Sequence, residues 1–158
     1  MMSLTRSRRM DRNRYKWQWN ALITAALLLF APTAFAAVCT IAAQGVNFGA
    51  YDPLSAQNLD GAGDLEVTCD VAAPYTISLS PGGGTFAARA MVAGVQRLFY
   101  NLYTEATRTT VWGDATASTA TVSSTAMNET HTIYGLMPAG QNVSAGTYND
   151  TIIVTLTF

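Results

Sequence analysis

The stretch that most constrains the fold of this chain is "GTYNDTIIVTLTF", residues 146–158. Its last even positions are Ile152, Val154, Leu156 and Phe158, whereas most of the odd positions between them are threonine. Alternation with a period of two predicts a β-strand that packs one face on a core. A strand edge with open backbone groups invites pairing with another strand. The sequence therefore predicts a β-domain whose last strand needs a neighbour.

The first 36 residues predict an export signal. Six basic residues lie within the first twenty, and the apolar block "ALITAALLLFA" follows at 21–31. Small residues then occupy the two positions that signal peptidase reads, which are Ala34 and Ala36. These features together define a secretory signal cleaved between Ala36 and Ala37. Because a membrane span needs roughly 20 apolar residues, we expect no span in the mature chain, 37–158.

The predicted mature chain is acidic. It contains three arginines, nine acidic residues and no lysine, for a net charge of −6. Nucleic-acid and anionic-membrane partners require basic patches, so the composition argues against both. We expect passage through the periplasm, followed by a place on the cell surface or secretion.

The mature chain has two cysteines, Cys39 and Cys69. In an oxidising compartment an isolated pair predicts one disulfide. The chain has a single histidine and no C-x-x-C spacing, so a metal site is a poor alternative. We expect no cofactor.

The mature chain reads as an all-β domain of short strands. We predict strands in 38–53 (with a break near Gly45), 65–71, 75–80, 97–106 and 131–138. We also predict a loop at 58–64, one or two helical turns in 85–96, a hairpin return at 108–117, and a loop or weak edge strand in 115–126. Short strands at regular spacing predict a sandwich.

Candidate chemistry is sparse, and we predict no catalytic residue. His131 is more readily explained as a surface or hydrogen-bonded residue than as a base. Trp112, Tyr100 and Tyr103 could form an aromatic surface that stacks on sugars, although aromatics at strand spacing more often lie in the core. Tyr148 is a candidate tyrosine corner, whose hydroxyl bonds back to the chain; the alternative is one more half-buried aromatic.

Four motifs in order resemble the spore coat U domain, the fold of subunits in archaic chaperone–usher pili. They are "CTIAAQGVNFGAYDPL", "VTCD", "LFYNLYTEATRTTVWGD" and "GTYNDTIIVTLTF", and they extend through nearly all of 38–158. The sequence differs from the family pattern at Glu105, where the family often has Asp, and at Ala115, where the family often has Gly. The resemblance implies an immunoglobulin-like Greek-key β-sandwich that lacks its last strand.

The resemblance also implies the partners. A periplasmic chaperone and then a neighbouring subunit would supply the missing strand, and an outer-membrane usher would assemble the fibre. The acceptor groove is predicted at Ile152, Val154, Leu156 and Phe158. Only two residues precede Cys39 in the predicted mature chain, so we expect a subunit that accepts a strand but donates none, at a fibre tip or as a minor component.

Three functions are compatible with these observations. The first is a structural or adhesive pilus subunit, which the resemblance favours. The second is a stand-alone secreted or envelope-coat protein of the same fold. The third is a carbohydrate-binding or enzymatic sandwich, for which sugar binding through Trp112 would be the distinguishing signal.

Overall fold

The computed structural model describes residues 36–158, and the rest of the predicted signal lies outside this range. Residues 36–158 are all-β and contain no helix. No helix capable of spanning a membrane occurs among them. The six strands are β1 (Cys39–Asn47), β2 (Leu59–Leu79), β3 (Arg89–Ala93), β4 (Gln96–Tyr103), β5 (Val122–Met137) and β6 (Val154–Thr157).

The strands form one curled antiparallel sheet in the order β1-β2-β5-β4-β3, and β6 also pairs with β2. Strand β2 pairs with β1 along its first half and with β6 at its end. β1 follows its first half, from Cys39 opposite Cys69, and β6 follows its last residues, from Thr157 opposite Thr76. β5 pairs with both halves along the other edge, with an irregularity in register between Thr68 and Ala73. Such a bulge bends a strand, which suits a sheet that curls on itself.

The predicted interruption of β2 was wrong. Residues 58–64 were expected to be a loop, and 65–71 and 75–80 were expected to be separate strands, but one strand covers them from Leu59 onward. The glycines that suggested a loop lie where backbones approach closely. A Cβ at Gly63 would stand 2.6 Å from the carbonyl oxygen of Gln44 in β1. A glycine inside a strand often marks such an approach.

Three further segments differ from expectation. The helical turns predicted within 85–96 are absent, and β3 occupies 89–93 instead. The hairpin return predicted at 108–117 is reduced to isolated bridges, Val111 with Tyr103 and Trp112 with Ala120. The Ser/Thr run joins the sheet from Val122 as the start of β5. We expected β4 to pair with 108–117, but it forms its hairpin with β3.

The core lies inside the curl and is supplied by alternate residues. β2 contributes an odd-numbered set that is almost fully buried, comprising Leu65, Val67, Cys69, Tyr75, Ile77 and Leu79. Leu98, Leu102, Ile133 and Met137 pack against it from the other strands. The period of two therefore positions an apolar face on β2 on either side of the irregularity between Thr68 and Ala73, where Val71 is 50% exposed.

Beside this core lies a buried cation, Arg89, which is 0% exposed. Its guanidinium donates hydrogen bonds to the carbonyl oxygens of Ser80 and Trp112 and to Oδ1 of Asn101. Burial lowers the pKa of Arg89. A buried charged group is costly unless it is hydrogen-bonded, so these bonds fix the end of β2 and the Trp112 segment around one side chain.

The predicted disulfide between Cys39 and Cys69 is confirmed. It joins the first residue pair of β1 and β2, with a sequence separation of 30. We expect reduction to lower the free energy of unfolding by about 3–4 kcal/mol, because the crosslink restricts the unfolded chain. Thermal melting with and without a thiol reductant measures this loss. The double variant Cys39→Ala/Cys69→Ala should be insensitive to the reductant, and an equal shift in that control would contradict the explanation.

Candidate functional site

The segment from Tyr148 to Leu156 presents an open backbone edge. Asn149 and Val92 exchange both of their backbone hydrogen bonds, and the amide of Ser80 donates to the carbonyl oxygen of Ile153 at 2.9 Å. In an antiparallel ladder successive residues direct their backbone groups to opposite sides. Since the odd residues face β3 and β2, the even ones direct their N–H and C=O groups to the other side. Within residues 36–158 no backbone–backbone hydrogen bond meets them there.

The side chains of this segment follow the same alternation. Ile152, Val154 and Leu156 are half-buried and pack against the core, whereas the odd residues 149–157 are exposed. The predicted period of two is therefore present, and it extends upstream of the predicted groove. Phe158 departs from the prediction. It lies beyond the last pair, Thr157 with Thr76, and is 57% exposed.

A cleft of about 760 Å³ adjoins this edge. Residues 45–51 form one side, which we call the first wall, and residues 143–150 form the other, which we call the second wall. Partly or fully buried apolar side chains, Met91, Leu98 and Met137, also line it. The cleft is thus a slot between residues 45–51 and 143–150, and its lining is part apolar and part polar.

Phe48 anchors the first wall. It is buried and meets Tyr100 edge-to-face, with ring centroids 5.7 Å apart. Its ring lies over two glycines that pair across β2 and β5, and a Cβ at Gly135 would approach within 2.6 Å of it. Only residues without a side chain leave room for the ring at these positions.

Asp150 anchors the second wall. Its carboxylate accepts hydrogen bonds from the Tyr100 hydroxyl at 2.7 Å, from the Gly83 amide at 2.8 Å and from the amide of Thr151. Burial, followed by this carboxylate, raises the pKa of Tyr100. Among residues 36–158, Asp150 is the only charged residue that lines the cleft.

The Tyr148 hydroxyl donates a 2.8 Å hydrogen bond to the carbonyl oxygen of Ser144, four residues upstream. This is the contact that a tyrosine corner requires. This bond joins two residues of the second wall next to the start of the open edge.

The predicted aromatic surface was wrong for two of its three members. Trp112 is 0% and Tyr100 is 4% exposed, while Tyr103 is half-buried. The Trp112 indole donates a 3.1 Å hydrogen bond to the carbonyl oxygen of Ile77. Both faces of the indole are therefore unavailable to a sugar, since an aromatic inside the sheet serves the core.

His131 is a hydrogen-bonded residue of the sheet. Its Nε2 lies 2.9 Å from the Tyr75 hydroxyl, which also donates to Glu129 at 2.8 Å. Burial, followed by the Glu129 contact, raises the pKa of Tyr75. Among residues 36–158 no group of three or more His, Cys, Asp or Glu side chains could hold a metal ion.

The fold and the exposed edge describe an all-β domain whose sheet ends on unpaired backbone. The chain belongs to the Spore Coat Protein U domain family, whose model matches residues 24–155. It is 37% identical over 127 residues to Protein U of Myxococcus xanthus, an alignment covering 72% of this chain and 71% of that protein.

A solved structure shares the fold. It is the chaperone–tip adhesion subunit pre-assembly complex CsuC–CsuE from the archaic chaperone–usher Csu pili of Acinetobacter baumannii. The TM-score is 0.56 at 25% sequence identity. The match covers 78% of this chain, which spans about two fifths (40%) of the solved chain.

Proposed function

We propose that this protein is an exported structural or adhesive subunit of an archaic chaperone–usher pilus, completed by a β-strand from a partner. The observation that carries the proposal is the open edge from Tyr148 to Leu156 beside a cleft that Met91, Leu98 and Val143 help to line. Strand addition satisfies such an edge through main-chain hydrogen bonds, while pockets select alternate side chains. Family membership and the structural similarity to a chaperone–subunit complex support it.

The lining of the cleft defines the chemistry of the partner strand. Among residues 36–158 its one charged residue is Asp150, and the apolar residues Met91, Leu98 and Val143 lie nearby. An acidic side chain placed there would be buried close to another carboxylate, which is costly. A strand with apolar residues at alternate positions fits the apolar part of this lining.

The finer parts of the proposal concern processing and position. We propose that residues 1–36 are a cleaved signal, that an usher receives the subunit, and that it accepts a strand without donating one. The described residues before β1 support the last point. The Val38 amide donates to Oδ1 of Asp70 at 2.9 Å, and the Asp70 amide donates to the Val38 carbonyl oxygen at 3.1 Å. Sequencing the N-terminus of the exported protein tests the signal, and a long segment before Cys39 would contradict acceptor-only behaviour.

The variant Val143→Asp tests the cleft. Val143 is half-buried on the second wall, and a carboxylate there would be desolvated by an incoming strand. We expect co-purification with a co-expressed chaperone to fall at least about tenfold, the change that ~1.4 kcal/mol produces. The control Val95→Asp places the same charge on a residue that is 94% exposed. Equal recovery of both variants would show that the cleft does not receive the strand.

A second candidate function is a secreted coat protein that associates through the same edge, which the family description favours. It needs no dedicated chaperone. Stable export of the chain without chaperone or usher would therefore support the coat protein over the pilus subunit. The sugar-binding alternative loses its basis because Trp112 is buried. A non-catalytic role accords with both remaining candidates.

A further inference from the structure

Two polar side chains, Tyr51 and Gln141, tie the end of the first wall to the chain just before the second wall. The Tyr51 hydroxyl accepts a 2.7 Å hydrogen bond from the backbone amide of Gln141 and donates a 3.0 Å bond to the carbonyl oxygen of Pro138. Tyr51 is the last residue of the first wall, and Gln141 lies two residues before the second wall begins. The phenol therefore joins segments that are 90 residues apart in sequence.

Gln141 fastens this junction to the sheet. Its side-chain oxygen accepts from the Phe99 amide at 2.7 Å, and its side-chain nitrogen donates to the Phe99 carbonyl oxygen at 2.8 Å. The same nitrogen lies 3.1 Å from the Pro138 carbonyl oxygen. The amide side chain thus makes the pair of bonds that a neighbouring strand residue would make with Phe99. These bonds hold the segment around Gln141 against β4.

The opposite end of the cleft has no equivalent bridge. There the first wall begins at Gly45 and the second wall ends at Asp150. Asp150 is bound to Gly83 and Tyr100, which belong to neither wall. Within the described residues no side chain of 45–47 hydrogen-bonds to Asp150 or to a residue next to it. The first wall is therefore tied down at Tyr51 and carries no such bond at Gly45.

We infer that Tyr51, held in place by Gln141, forms the stop that fixes the register of the strand occupying the cleft. The inference rests on the proposed function, because it concerns the strand that the cleft would accept. A one-residue slip exchanges the two faces of a strand. A fixed end consequently determines which side chains of the partner face Met91, Leu98 and Val143.

Register scanning with synthetic peptides tests the stop. The probes are peptides of about ten residues that alternate threonine with valine and carry one tryptophan, moved along the valine positions from peptide to peptide. Each peptide is used to displace the mature protein from its chaperone complex. For the unaltered protein we expect one preferred tryptophan position, favoured over its neighbours by about tenfold or more, since ~1.4 kcal/mol separates tenfold affinities.

The variants Tyr51→Phe and Gln141→Met retain the shape of the side chain and remove the polar bridge. In both we expect the preference to flatten to within about twofold, because strands can then bind in several registers. The matched control is Tyr103→Phe, which deletes a hydroxyl from another half-buried tyrosine. The Tyr103 hydroxyl makes no hydrogen bond within residues 36–158, although the Tyr103 backbone pairs in the sheet. This control should keep the unaltered profile.

Two failures are distinguishable. Peptides that never displace the unaltered protein from the chaperone would overturn the proposed function, and this inference with it. Peptides that bind all proteins with the same position dependence would overturn the stop alone. A uniform loss of affinity at every tryptophan position would likewise overturn it, because a purely structural role weakens binding without changing register.

Discussion

A complementary strand appended after Phe158 through a short linker is expected to raise the free energy of unfolding of the mature chain by about 3–6 kcal/mol. The increase comes from covering half-exposed apolar side chains along the open edge and the cleft, namely Val154, Leu156, Met91 and Val143. Each is worth roughly 1.5–3 kcal/mol when fully buried, and about half of that is missing without a neighbour. Because small domains have stabilities of about 5–15 kcal/mol, we expect the unfused chain to aggregate or to be degraded after export.

Chemical denaturation of the fused and unfused chains, together with their yields after export, measures this effect. The matched control carries an appended strand of equal length in which every apolar residue is serine. It should behave as the unfused chain. A monomeric, cooperatively unfolding chain of equal stability without any appended strand would refute the idea of an incomplete fold.

Replacing Trp112 by alanine is expected to cost about 3–5 kcal/mol, the usual loss for a large aromatic in a core. The indole is fully buried, and its removal also leaves the Ile77 carbonyl oxygen without its side-chain partner. Trp112→Phe keeps much of the volume and loses only that bond, so a smaller cost is expected. Denaturant unfolding of the strand-fused chain provides the measurement.

This prediction also bears on function. If Trp112 belonged to a sugar site, Trp112→Ala would abolish sugar binding while leaving stability nearly unchanged. A surface side chain has little effect on unfolding. The two outcomes are opposite, so one set of variants separates the core role from the binding role.

The edge could be predicted from sequence because its signal is local. The alternation from Ile152 to Leu156 indicates directly which side chains are buried. The chain has two cysteines, so they can form only one disulfide with each other. The Tyr148 contact is also local, since its partner Ser144 lies four residues away. In each case the residues that determine the feature are neighbours in the chain or unique within it.

The other parts of the site depend on distant residues. Pro74 and the glycines near 61–63 resemble residues that interrupt strands. On the edge of β2 that pairs with β1 and β6, however, β1 reaches Cys69 and β6 begins at Thr76, so Pro74 lies where that edge has no neighbour. A residue without an N–H group is tolerated there. The first wall and the bond from Tyr51 to Gln141 bring together positions that no period or motif connects. Only the folded sheet shows that they face one cleft.

The antiparallel alternation along Tyr148–Leu156 has a mechanical consequence. Hydrogen bonds to that edge run perpendicular to the strands. Tension applied along an inserted strand would therefore load all of them in shear together, and would not open them one after another from an end. Detachment under force would then depend on the whole length of the paired edge, a property suited to a joint that must hold while it is being pulled.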